Sequence, residues 1–391
     1  MRHTSSFAVF RYDPGERDLA KPRWLAREGQ LGEAEAEYRA ALGANPDLAS
    51  AWLELFELLR RQRRHADALA LAGAAADHWG AEAALPHTLR GAALVELGRL
   101  AEGIAALQDA IGRDDTSALA WHEYGYASFR AGHHSEALLA LDRAFALEPH
   151  TDTLMLRGRI LREGGRYDAA EVAFEGALQA TEHDVPRRDA AREIEATRRA
   201  AALGGRRPRE FSTRERWFAR GGGILLSLER PSAPPAERTA DALAALVGLV
   251  RGLDWRPGAV AGAADADEAL ARAVAAALGV PAVAAPALDP ADRPLLVTAR
   301  NDGSGAWDRQ LDRLGRWRCG HAFALFEPPD AAEPADVVGI GEALTEGAIA
   351  TVLAAALRGP IRAADPDPEV LALARQPLAG WRQRAVASPL D

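Results

Sequence analysis

Cysteine is almost missing from this chain: Cys319 is the only one. No disulfide can close within the chain, and that usage fits a reducing compartment. Lysine is as scarce, since Lys21 stands alone in an otherwise arginine-only basic set, a genomic composition bias on which nothing is built. Aromatics make up only 6%. Alanine fills much of the apolar quota, which suits close helix–helix approach. No uncharged apolar run reaches the ~18 residues of a membrane helix, and Met1–Arg11 holds no stretch long enough for a signal peptide. The expectation is a cytoplasmic chain with no membrane partner. A net charge of −9 weighs against nucleic acid, because phosphate binding draws on a basic surface.

What the chain does have is length and period. Its 391 residues, 48% hydrophobic and 26% charged, suffice for two or three packed domains. Gly29, Arg63, Gly98, Gly132 and Gly165 follow one another at gaps of 34, 35, 34 and 33 residues. Five residues past each lies a small one: Ala34, Ala68, Gly103, Ala137, Ala170. Twelve past each lies an alanine: Ala41, Ala75, Ala110, Ala144, Ala177. Between these fall Tyr38, Ala72, Leu107, Leu141 and Phe174. A period of this length means stacked supersecondary units with an extended concave surface.

The fourth unit shows the pattern. Ala118 to Ala131 has apolar residues at three- and four-residue spacing and reads as a helix that Gly132 closes. Ser135 to Leu147 reads as its partner, stopped by Pro149. The chain resembles the tetratricopeptide repeat family on these residues: Trp52 and Trp121 at the early aromatic position, Gly91, Gly125 and Gly158 in the first helix, Pro46 and Pro149 at the close. The second unit departs furthest, with Arg63 for the turn glycine, Ala72 for the aromatic and Gly80 for the proline. The third has His87 and Asp115 in place of the Trp and Pro. The resemblance implies an all-α superhelix over residues 16–204, about five hairpins with a capping helix at Val185–Leu203. That cap is expected to turn Asp189, Arg192, Glu193, Glu195, Arg198 and Arg199 to water.

In that family the first helices line a groove. Carried over by offset, the groove residues are Ser50, Leu53, Glu57, Arg60, Arg61, Thr88, Val95, His122, Tyr126, Phe129, Arg130, Met155, Arg159 and Arg162. Of these, Arg60, His122, Tyr126, Arg130, Arg159 and Arg162 are the candidate partner-binding set, able to hold an acidic or C-terminal peptide by forked hydrogen bonds. The bland alternative is that the arginines solubilise an exposed face. His133 and His134 lie in a turn without a ligand set, so no metal site is expected.

Leu203 to Arg220 crowds six arginines around Gly204, Gly205 and Pro208. The segment 205–220 reads as a basic, solvated linker. Beyond it, over 221–391, the period changes to alternating strands and helices, which implies an α/β domain with a mainly parallel sheet. The strands expected are Gly223–Leu228, Ala259–Ala264, Pro281–Ala285, Leu295–Thr298, His321–Phe326 and Val337–Ile340. Helices are expected at Thr239–Leu253, Asp267–Leu278, Trp307–Trp317 and Thr345–Arg358. Ligands of such sheets bind beyond the strands' carboxyl ends. Asn301, Asp302, Gly303, Ser304 and Gly305 there form a candidate phosphate loop. The order is faintly similar to the phosphoribosyltransferase fold, through Leu278-Gly279-Val280-Pro281 and Leu295-Leu296-Val297, but Thr298 and Ala299 replace that family's acidic pair. Cys319 and His321 lack a site that would lower the thiol pKa. There is no Walker or Gly-x-Ser-x-Gly motif, no catalytic residue is named, and no cofactor is expected. The reading is a non-enzymatic scaffold or adaptor whose array binds a peptide or helix of another protein. An enzyme or nucleotide-binding module in the second half is the alternative.

Overall fold

A computed structural model describes residues 19–376 except 81, 228–233, 254, 302–304, 318–319, 328–334 and 341–345. The chain divides into two compact units, Met1–Ile194 and Glu195–Asp391.

The first unit is five helical hairpins. They are α1 Ala20–Arg27 with α2 Leu31–Ala44, α3 Ala49–Arg61 with α4 His65–Trp79, α5 Ala84–Glu96 with α6 Leu100–Arg113, α7 Ala118–Arg130 with α8 His134–Leu147, and α9 Thr151–Glu163 with α10 Tyr167–Gln179. Each hairpin turns on the residue that sets the period. Gly29, Gly98, Gly132 and Gly165 lie at φ of 77° to 84°, and Arg63 adopts the same left-handed conformation at φ 60°. Glycine visits that region freely, and a side chain there costs ~1–2 kcal/mol.

Close approach explains the small residues. A Cβ on Gly91 would meet Leu107 Cγ at 2.5 Å, one on Gly125 would meet Leu141 Cγ at 2.8 Å, and one on Gly158 would meet Phe174 Cε1 at 2.6 Å. In these hairpins a glycine on the first helix receives a large side chain from the second. The second hairpin reverses the pair. Phe56 occupies the glycine position and Ala72 the large one, and both are buried in one apolar cluster with Leu55, Leu59 and Leu89. Volume is conserved while its source changes helix.

Successive first helices also touch, α3 on α5, α5 on α7 and α7 on α9. The side on which the first helices meet is their inner face. After α10, α11 runs Asp184–Ala202. Its first half closes the array's core through Ala190 and Ile194, which pack with Ala173, Phe174 and Ala177. Two residues expected to face water do not. Glu193 takes ion pairs from Arg159 and Arg162, and Arg199, 5% exposed, donates to the carbonyls of Ala219 and Arg220. Amphipathic periodicity marks a polar face but not the partners that a neighbouring element brings to it.

The second unit holds a five-stranded, wholly parallel sheet in the order β1-β5-β4-β3-β2, with β1 Ile224–Ser227, β2 Val260–Gly262, β3 Leu295–Arg300, β4 His321–Phe326 and β5 Val337–Ile340. Pro281–Ala285, expected as a strand, contributes only an isolated bridge from Ala282 to Val260. It then passes into a 3-10 turn at Ala285–Ala287, because Pro281 at its start and Pro286 just past its end remove ladder donors. The basic segment before the sheet is also ordered locally. α12, Thr213–Gly221, starts on a capping box between Ser212 and Glu215. The buried Arg214 ties α12 to the carbonyls of Leu225 and Leu226 and to Asp367 and Glu369. α13 Pro235–Gly252, α14 Glu268–Leu278, α15 Gly305–Trp317, α16 Glu346–Ala356 and α17 Pro368–Ala374 complete the unit. The core joins Trp307 and Leu314 to Leu225, Leu296, Ala324 and Val338.

Candidate functional site

Among the described residues, the first helices α3, α5, α7 and α9 hold most of the array's buried polar side chains. On α3, Arg60 is 8% exposed and lies under the carboxylates of three different helices. Its guanidinium is 3.3 Å from Glu123 on α7, 3.2 Å from Glu96 on α5 and 3.9 Å from Glu57 on its own helix. Burial works against its charge, and Glu123, Glu57 and Glu96 more than offset that and raise its pKa. The stacking of first helices brings these groups together, since Arg60 and Glu123 are 63 positions apart.

Glu57 is the odd member. It is 8% exposed, its Oε2 is buried with no hydrogen-bond partner, and its ion pair with Arg60 is long, at 3.9 Å. Burial pushes its carboxyl up to about 8, with Arg60 and Arg61 opposing and Glu123 and Asp152 adding to the rise. Burial likewise raises Glu123. A carboxyl raised by folding favours the folded state most below its ordinary pKa. For Glu57 that contribution is lost as pH climbs toward about 8.

Further along the face, Tyr126 accepts a hydrogen bond from Arg130 at 2.8 Å, with the guanidinium 5.6 Å above the ring. Arg130 also reaches Glu96 at 3.9 Å and stays 37% exposed at its side chain. His122, buried, shares a 3.0 Å hydrogen bond with Thr153 Oγ1. Arg159 and Arg162 converge on Glu193 at 2.9 and 2.6 Å. Burial raises the Glu193 carboxyl, but Arg162 and Arg159 together hold it below the usual range.

Arg60, Tyr126 and Arg130 therefore gather around Glu96, while Arg159 and Arg162 gather around Glu193, and His122 pairs with Thr153. Arg60 is a buried ion-pair partner rather than a surface contact. Reading the groove hairpin by hairpin named Glu57 but missed Glu96, Glu123 and Glu193. Part of the signal was present two residues before the last four turns, where Arg61, Glu96, Arg130 and Glu163 alternate in sign. Opposite charges at one position of stacked units are neighbours.

In the second unit, polar side chains collect beyond the carboxyl ends of β2, β3 and β4. Asp267 accepts from the backbone N–H of Ala299 at 2.7 Å and of Ala264 at 3.1 Å, and from Thr298 Oγ1 at 3.3 Å. Asn301 Nδ2 donates to Glu327 at 2.8 Å. Burial pushes the Glu327 carboxyl up to about 7. Of the candidate phosphate loop, Asp302, Gly303 and Ser304 lie outside the described residues, as does Cys319. Asn301 turns its amide to a carboxyl, and Gly305 begins α15. Among the described residues no cluster of His, Cys, Asp and Glu could hold a metal, and no helix is long and apolar enough to cross a membrane.

A model of the tetratricopeptide repeat family matches residues 151–184. A search of the curated proteins gives no match. Among solved structures the chain is similar to TTC0263, a thermophilic TPR protein in Thermus thermophilus, at 20% identity over 46% of this chain and 98% of that one, with a TM-score of 0.41. It is similar to PilW, a widely conserved type IV pilus biogenesis factor, at 20% identity over 50% and 89%, TM-score 0.39. It is also similar to YrrB, a TPR protein with an unusual peptide-binding site, at 19% identity over 44% and 90%, TM-score 0.30. The hairpin at 151–184 is thus a tetratricopeptide repeat, and the four before it share its helix pairing, its turn and its period.

Proposed function

We propose that the array is a protein-interaction scaffold that takes a peptide or helix of another protein along the inner face of α3, α5, α7 and α9. The observation behind this reading is that half-exposed arginines and buried polar groups share one face across four repeats, where a repeat protein offers its longest continuous surface. Arg130 and Arg159 stay partly exposed there, with side chains 37% and 32% exposed. They suit an acidic side chain of the partner. The second unit acts in this reading as a further docking or regulatory module. Asp267 and Glu327 at the carboxyl edge of its sheet count against an anionic nucleotide there.

The test uses the full chain immobilised beside its Arg130→Ala, Arg159→Ala double variant. Helical content and melting temperature should stay within a few degrees, and partner proteins held by the wild type should be lost by the variant. Equal recovery from the two surfaces would rule the inner face out.

A further inference from the structure

We propose that the inner face between the second and fourth repeats seats one arginine or lysine side chain of the partner segment against Glu57, Glu96 and Glu123. The inference rests on the scaffold reading and names the chemistry of the occupant.

The cluster is a built site rather than a scatter of acids. Arg60 is held from three helices and is unable to turn away, because Glu96 and Glu123 fix both of its terminal nitrogens at 3.2 and 3.3 Å. That leaves Glu57 with a 3.9 Å contact and an Oε2 that is buried and without a hydrogen-bond partner. A buried carboxyl oxygen without a hydrogen-bond partner costs free energy, and an incoming N–H donor removes the cost.

Charge complementarity decides the class of donor. The charged groups that act on Glu57 are Arg60 and Arg61 of its own helix, Glu123 of α7 and Asp152 of α9. Glu96 of α5 shares Arg60, and Arg130 of α7 reaches Glu96. Glu57, Glu96, Glu123 and Asp152 thus face Arg60, Arg61 and Arg130. His150 lies beside Asp152 and Tyr126 acts on Arg60. With the carboxyls ionised, the four acids exceed the three arginines by one, which leaves room for one cation. Burial keeps a proton on Glu57 up to about pH 8. A guanidinium or ammonium that enters at neutral pH therefore expels it. The carboxyls lie on different helices around a fixed guanidinium, so the fit is to a donor with several N–H groups, and arginine's fork suits paired carboxylates best.

The probe is a blocked Ser/Ala peptide with one central arginine, compared with the same peptide carrying citrulline and with free arginine amide, titrated against the full chain and followed by amide chemical shifts. The arginine peptide should bind about tenfold more tightly at pH 9 than at pH 7, because only the ionised carboxyl receives it. Calorimetry in two buffers at pH 7 should register close to one proton released per peptide bound. Citrulline should abolish both effects. Glu57→Gln, which keeps the shape but replaces one oxygen by an NH2 donor, should bind the arginine peptide several-fold more weakly and with no pH dependence, its melting curve confirming the fold. Equal affinity and pH profile in wild type and Glu57→Gln, or no binding by either, overturns the site. Equal affinity for arginine amide overturns the assignment to a partner segment. Loss of partner capture by the Arg130→Ala, Arg159→Ala variant but full retention by Glu57→Gln would leave the scaffold reading standing and remove this one.

Discussion

The second repeat and the three that follow it solve the same packing problem with opposite choices. Seven residues before the turn, repeats three to five have Gly91, Gly125 and Gly158, and the second has Phe56. Nine residues after it they have Leu107, Leu141 and Phe174, and the second has Ala72. Three before it they have Val95, Phe129 and Arg162, and the second has Arg60. At the turn itself they have glycine, and the second has Arg63. The hairpin forms all the same. The lesson is that the repeat specifies summed volume between two helices and a left-handed turn, not a residue at each position. The departure also concentrates buried charge, Glu57 and Arg60, in the one repeat whose own helix pairing is reversed.

The largest way to break the comparison is to undo half of the reversal. Phe56 is fully buried, so Phe56→Gly should cost ~4 kcal/mol, from lost burial and the cavity left behind. Ala72→Phe alone should also destabilise, since it adds a second ring to a filled space. Together they rebuild the arrangement of the fifth repeat, and the double variant should recover at least half of the summed losses. Chemical denaturation of the four proteins gives the coupling. Additive losses would mean that the two positions do not exchange volume.

A somewhat smaller effect separates the two arginines at the third position before the turn. Arg60→Leu removes the guanidinium beside Glu123, 2% exposed at its side chain, and strips Glu96 of one of its two arginines. Orphaning buried carboxylates should cost ~3 kcal/mol at pH 7, and less at pH 5, where they take up protons. Arg162→Leu leaves Glu193 still paired with Arg159 and should cost about 1 kcal/mol. Denaturation of both at the two pH values checks the order; equal losses would mean that Arg60 is as replaceable as Arg162.

These residues also show what the sequence could and could not reveal. The hairpins were legible because a 33- to 35-residue period survives the loss of any single consensus residue, as at Arg63. Strands at His321–Phe326 and Val337–Ile340 were legible as short apolar runs. Pro281–Ala285 was not, because an apolar run says nothing about whether a ladder partner accepts it. The groove arginines were placed correctly on the first helices, but their partners Glu96, Glu123 and Glu193 were hidden. Those contacts depend on how repeats stack, whereas periodicity within a hairpin reports only which face is apolar. Glu57 was named as lining, yet its unanswered oxygen exists only once Arg60 has been claimed by two other helices.

The smallest effect concerns the turn. Arg63 holds φ at 60°, where a side chain crowds the following carbonyl and glycine does not. Arg63 is exposed, so its replacement empties no core. Arg63→Gly should therefore stabilise the chain by ~1 kcal/mol, less the extra entropy glycine loses on folding. The reciprocal change, Gly132→Ala at φ 84° with open space around the site, should destabilise by about the same amount, since only backbone conformation differs. Opposite shifts in melting temperature are the expected result. If both variants fell, Arg63 would have a role beyond the turn that its exposed position does not suggest, and the second repeat's departure would be selected there as well as in its core.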